Sequence, residues 1–208
     1  MSREEEYLIH LLRCSLYQRR PDPAPGGLDW ERLYRLAHRH TVEVMVYYAL
    51  LRLEHPVGEV LAKWKETTYR QVRKDITREY EMQRILDAFE KAGINCMPLK
   101  GFIIRKLYPK TEMRYMSDFD LLADPNQLDR SRAVLRDLGY EPYRYDSHHD
   151  IFYLSGFPMF VELHKLLIMG KLEEYFGIGF SRAFLWQGKR NIYQLSKEDY
   201  YIYLIGHM

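Results

Sequence analysis

Apolar positions in the first ninety residues recur at helical spacing, and after that they gather in short runs. Tyr7, Leu8, Leu11, Leu12 and Leu16 step by three and four, which predicts a helix over residues 3–19. The breaker-rich PDPAPGG at 21–27 ends it. Asp29 is placed to cap a second helix from Trp30 to about Arg39, and a third covers 42–53. Val57, Leu61, Trp64, Val72, Ile76, Tyr80, Leu86 and Phe89 then form one stripe. They predict a long amphipathic helix over 57–92, with Gly93 as its C′ residue. The basic run Arg70, Arg73, Lys74 and Arg78 reads as the solvated face of that helix.

Past Gly93 the period changes. INCMPL is a short apolar run and predicts a strand; Gly101 then opens a short helix, Phe102 to Tyr108, stopped by Pro109. DFDLLA predicts a second strand, and residues 126–138 an amphipathic helix ending at Gly139. IFYLSG and MFVELHKLL predict two further strands, paired as a hairpin through the turn chemistry of SGFP. NIYQLS and a helical KEDYYIYLIGHM close the chain. The expected class is α+β. A helical region over 1–92 precedes a core of small mixed sheet over 93–167, and a mixed strand and helix tail over 168–208 packs on that core.

Composition narrows the picture. Hydrophobic residues make up 47% and charged residues 29% of 208, so a packed core is within reach. Lys and Arg total 31 against 29 Asp and Glu, a net charge of +2 that argues against a long nucleic acid as partner. The acidic MSREEEYLIHLL lacks the pattern of a secretory signal, and no apolar run is long enough to span a membrane. Cys14 and Cys96 have neither metal-knuckle nor disulfide-scaffold spacing, so reduced thiols in a cytoplasmic protein are expected.

The chemistry concentrates in MPLKGFIIRKLYPKTEMRYMSDFDLLAD, residues 97–124. Asp118 and Asp120 are two apart on a predicted strand, so they share one face while Phe119 and Leu121 take the other. Two neighbouring carboxylates repel unless a cation lies between them. Mg²⁺ suits them, being hard and leaving positions free for phosphate oxygens. Glu162 in FVELHKL becomes a third carboxylate if its strand lies beside that of the aspartates. His164 shares the face of Glu162 and is expected to hydrogen-bond it. Gly101 would aim helix-start amides at a phosphate, with Lys100 as a mobile positive charge beside it. The bland alternatives are a turn-forming D-x-D, a salt-bridged Glu162, a solvated Lys100 and an Arg114 that pairs with an acid. His148 and His149 match no zinc spacing; they read as loop residues at the mouth of the cleft, His149 as a neighbour of the site.

LKGFIIRKLYP, RYMSDFDLL and VELHKLL together resemble a bacterial family of uncharacterised nucleotidyltransferases in the DNA polymerase beta-like superfamily. The resemblance runs over about residues 30–167 and is strongest over 98–122. It implies a small mixed sheet flanked by helices, with Asp118 and Asp120 as the metal pair and Glu162 as the third acid. Lys100, Gly101 and Arg114 fall where the family's motif lies near the phosphates. The implied cofactor is two Mg²⁺ ions, Mn²⁺ being the alternative. The implied substrates are an NTP, ATP first, and a hydroxyl-bearing acceptor, a small molecule or a protein. The chain departs from the superfamily at Lys100–Gly101, where Gly-Gly or Gly-Ser is usual, and in the longer stretch from there to the aspartates. That departure leaves open a second reading, a non-catalytic nucleotide-binding or partner-binding protein of the same fold. A metal-dependent phosphohydrolase using the histidines is a third. The tail resembles the start of a further helical region, so a shortened chain is expected.

Overall fold

The computed structural model describes residues 1–54, 58–157, 159–168, 170–177 and 180–207, with Lys171 described by its backbone alone. Val57, Pro158 and Met208, assigned from sequence to the long helix, the SGFP turn and the last helix, lie outside them. The chain divides into two compact units, residues 1–77 with 104–115, and residues 78–103 with 116–208.

In the first unit, α1 (Arg3–Leu16) begins in a capping box between Ser2 and Glu5. α2 (Trp30–Arg39) is capped as its sequence predicts: the Asp29 carboxylate accepts from the amide of Arg32 at 2.9 Å. α3 (Glu43–Leu50) is apolar nearly all round and accordingly buried along almost its whole length. Leu11, Leu33, Ala37, Val46 and Leu50 from these helices pack with Trp64 of α4 (Gly58–Ala92).

The buried row of α4 is not the one its apolar letters suggest. Trp64, Thr68, Asp75, Arg78, Met82, Ile85 and Phe89 face inward. Ile76 is 64% and Tyr80 66% exposed, whereas Arg78 is only 2% exposed. A run of i+4 steps such as Val72–Ile76–Tyr80 drifts about 40° per step around a helix of 3.6 residues per turn. It therefore leaves a face that the row from Trp64 to Phe89 keeps by alternating threes and fours. Asp75 is tolerated inside because Arg105 of the same unit meets it at 2.5 Å.

In the second unit, β1 (Cys96–Pro98) and α5 (Lys100–Ile104, all but its last residue in this unit) precede β2 (Asp118–Ala123). α5 is shorter than the sequence predicts and continues as a 3₁₀ turn, Arg105–Leu107. α6 (Leu128–Asp137), β3 (Glu141–Tyr145), β4 (His149–Tyr153) and β5 (Phe160–His164) follow. Next come α7 (Glu173–Phe176), the short pair β6 (Phe184–Leu185) and β7 (Tyr193–Gln194), and α8 (Lys197–Gly206). The sheet order is β1-β2-β5-β4-β3, with β2 and β5 parallel and the other pairs antiparallel. It is the mixed sheet of an α+β fold. β4 and β5 form the expected hairpin, turning at Gly156 with φ of 75°.

β3 was invisible in the sequence. All five of its residues are exposed, so it has no alternation to detect, and Pro142 is acceptable only because the strand lies at the edge. One sheet face carries Phe119, Leu121, Phe152, Val161 and Leu163 into the core, where Met82, Ile85 and Phe89 of α4 meet them. The other face is left for chemistry. Cys14 and Cys96 are free thiols, both buried. Among the described residues no helix is long and apolar enough to cross a membrane.

Candidate active site

Parallel pairing of β2 with β5 sets Asp118 opposite Phe160 and Asp120 opposite Glu162. Side chains alternate along both strands, so Asp118, Asp120, Glu162 and His164 rise from one face. Asp120 is 3% exposed, and Glu162 is half-buried beside it. Among the described residues, Asp120, Glu162 and His164 form a grouping whose ligand atoms all lie within 4.8 Å of one another. Asp118 stands outside that grouping, on the same face.

Two side-chain nitrogens converge on one carboxylate oxygen. Lys100 Nζ lies 2.7 Å and His164 Nε2 2.8 Å from Oδ1 of Asp120. Burial raises the pKa of Asp120, but hydrogen bonds from His164 and Lys100 outweigh that and hold it below its ordinary value. Burial likewise works against a charged His164, yet its hydrogen bonds to Asp120 and Glu162 raise its pKa. The contact with Glu162 is the longer one, 3.6 Å, so the principal partner of His164 is Asp120 and not Glu162 as the sequence suggested. Glu162 is held low chiefly by His164. Asp118 goes the other way: desolvation first, then the charges of Asp120 and Glu162, push it up. The three carboxylates therefore retain like-charge repulsion that Lys100 and His164 leave uncompensated at Asp118.

Lys100 is held at both ends. Its backbone has φ of 37°, sparsely populated for a residue with a side chain, and its carbonyl accepts from the Tyr200 hydroxyl at 2.8 Å. The structure also gives Gly101 a steric task. A Cβ there would meet Met116 Sδ at 2.7 Å and Cγ at 2.9 Å. Arg114 belongs to the first unit, where its guanidinium donates to the carbonyl of Tyr115 at 2.6 Å.

Of the three carboxylates, Glu162 opens into a cleft of about 400 Å³ lined in part by Lys100, His148, His149, Glu162, His164 and His207. His149 is not in a loop; it starts β4, pairs with His164 and brings its ring to 5.5 Å from that imidazole. His148 precedes the strand, and the Asp146 carboxylate accepts from the amides of both. The residues that sequence reasoning missed come from α8. His207 caps that helix at the cleft, and burial, then Lys100 and His164, lower its pKa. The Tyr203 hydroxyl is buried with no hydrogen-bond partner among the described residues. The one signal available was tyrosine spacing on a final helix, which reads equally as core packing.

Two carboxylates and an imidazole within reach of a common point are a donor set that fits a divalent cation. Asp118 supplies a further carboxylate whose raised pKa such a charge would lower.

A mixed sheet with helices on its core side, and acids paired across two parallel strands, is consistent with a nucleotidyltransferase fold. The chain belongs to the family of uncharacterised nucleotidyltransferases, whose family model matches residues 26–208. That membership supports a role in nucleotidyl transfer. No curated protein and no solved structure matches the chain.

Proposed function

We propose that this protein moves a nucleoside monophosphate from an NTP, ATP first, to a hydroxyl of a small-molecule or protein acceptor. The observation that carries this reading is the register of β2 on β5, which sets Asp120 beside Glu162 with Asp118 on the same face. Asp118, Asp120 and Glu162 would hold two Mg²⁺, or Mn²⁺, which when bound supply charge to the α-phosphate and the leaving pyrophosphate. The acceptor oxygen forms a bond to the α-phosphorus as the bond to the bridging oxygen of the β-phosphate breaks. Glu162 takes the hydroxyl proton, and pyrophosphate leaves. Lys100 exchanges its contact with Asp120 for the β- and γ-phosphates, beside the Gly101 amide. His164 keeps Asp120 and Glu162 ionised, with His149 packed against it.

Titration calorimetry of ATP, GTP, CTP and UTP, with and without Mg²⁺, tests this on the wild type and the Asp118→Asn/Asp120→Asn double variant. One nucleotide binding only with Mg²⁺, and lost in the variant, supports the reading. Full transfer activity in Asp120→Ala would sink it.

A second reading is a nucleotide-binding protein without turnover. It is favoured by the ammonium of Lys100, which occupies the carboxylate a metal would need. Tight NTP binding with no pyrophosphate released across a broad set of acceptors would select it.

A further inference from the structure

The sheet face that carries the carboxylates does not end with them. Phe160 is the β5 residue directly opposite Asp118, and it is 43% exposed. Tyr143 sits at the bulge of β3, is 66% exposed, and brings its ring to 5.5 Å from that of Phe160, tilted by 51°. Between them on β4, Tyr153 pairs with Phe160 and gives its hydroxyl to Glu141 at 2.5 Å. An exposed aromatic surface therefore adjoins Asp118, at the start of β5, while the histidines crowd its far end.

We infer that Phe160 and Tyr143 form the platform on which the base of the bound nucleotide stacks. The inference rests on the nucleotidyl-transfer reading of the carboxylates and adds the position of the ring. The sheet is polarised around Asp118 and Asp120. Lys100, reached from β1, brings its ammonium to one flank, and Phe160 on β5 lies on the other. A nucleotide whose α-phosphate sits at the carboxylates has its anionic end towards Lys100 and its ribose and base towards Phe160. Neighbouring strands are about 4.8 Å apart, so a base one sugar removed from the α-phosphate spans that separation. Aromatic rings accept any base through its π-face, so this platform contributes affinity and little choice among bases. Two exposed aromatic rings packed on each other beside the acids make the kind of grouped apolar patch that marks a ligand site.

The test separates ring from phosphates. MgATP and Mg-tripolyphosphate are titrated into the full chain as wild type, Phe160→Ala, Phe160→Tyr and Tyr143→Ala. Both substituted side chains are exposed, so the variants should fold, and circular dichroism checks that they do. The expected result is MgATP binding weakened about ten- to a hundredfold in Phe160→Ala, the scale of one stacked base. Tyr143→Ala shows a smaller loss, Phe160→Tyr stays near wild type, and tripolyphosphate binding is unchanged throughout. Equal loss of ATP and tripolyphosphate, or no loss of either, overturns the platform and leaves the metal site standing. Failure of the wild type to bind either ligand overturns the nucleotidyl-transfer reading itself, and the platform with it.

Discussion

Lys100 Nζ lies 2.7 Å from Oδ1 of Asp120, the oxygen that His164 Nε2 approaches at 2.8 Å. A carboxylate that a metal would need is thus neutralised by a lysine that can swing away and a histidine fixed on the neighbouring strand. The sequence suggested the lysine as a phosphate ligand; the geometry makes it a competitor of the cation first.

Removing that competitor should be visible without any nucleotide. Lys100→Met is expected to tighten Mn²⁺ binding about tenfold, the equivalent of 1.4 kcal/mol. It should weaken MgATP, which loses the ammonium near its phosphates. Calorimetric titration of Mn²⁺ alone and of MgATP measures the two effects. Loss of both affinities would mean that Lys100 is needed to hold the carboxylates in place.

Asp118 and Asp120 should respond oppositely to neutralisation. The folded-state pKa of Asp118 is raised, so its contribution to stability is present below its unfolded value and lost as pH rises through the folded one. At neutral pH it is a strained charge, and Asp118→Asn should stabilise the fold by on the order of 1 kcal/mol. The pKa of Asp120 is lowered, so its contribution is present above the ordinary 3.8 and lost as pH falls through the folded value. That of His164 is raised, so its contribution is complete below the ordinary 6.5 and lost as pH rises through the folded value. The Asp120–His164 pair therefore contributes in full between these two limits, with a decline on either side. Asp120→Asn should cost about 3 kcal/mol in that window, since it leaves a buried partner short of its counter-charge. Urea unfolding at pH 3, 5, 7 and 9 reads both signs; a stabilising Asp120→Asn would contradict the pairing.

How far the sequence could be read differs by element, for physical reasons. β2 was legible to the residue because its two faces differ so sharply, Asp118 and Asp120 against Phe119 and Leu121. The class of the fold and the α2 cap followed from similar local signals. The edge strand β3 carried none, and the crowd of residues around Asp120 was out of reach because only the pairing of β2 with β5 on one side and β1 on the other brings His164 and Lys100 to one oxygen. α4 was misread where charges are buried in pairs: Asp75 inside the fold looks polar in sequence whatever Arg105 does.

That misreading gives a contrast to measure. Ile76 and Tyr80 are outward-facing, so Ile76→Lys and Tyr80→Lys should each change stability by less than about 0.5 kcal/mol. Asp75→Ala removes a carboxylate that pairs with buried Arg105 and should destabilise by about 3 kcal/mol. Thermal or urea unfolding of the single variants decides it. A large loss from Ile76→Lys would return the apolar letters of α4 to the core.

One hydroxyl of the last helix bonds the backbone that carries the lysine. Tyr200 of α8 donates to the carbonyl of Lys100, whose φ of 37° carries strain that this bond helps to hold. Tyr200→Phe keeps the ring and its packing against Tyr203, and removes the donor. The expected cost in stability is about 1 kcal/mol, the worth of one hydrogen bond. The more telling effect is on the lysine. With its carbonyl released, the Lys100 backbone can relax to negative φ and carry the ammonium away from Asp120. Mn²⁺ affinity should then rise in the same direction as in Lys100→Met, though less. Lys100→Gly accepts the positive φ without strain but has no ammonium, so adding Tyr200→Phe to it should leave Mn²⁺ affinity where Lys100→Gly alone put it. A Tyr200→Phe effect on Mn²⁺ binding that persists at full size in the Lys100→Gly background would show that the hydroxyl acts on the metal site by some route other than the lysine.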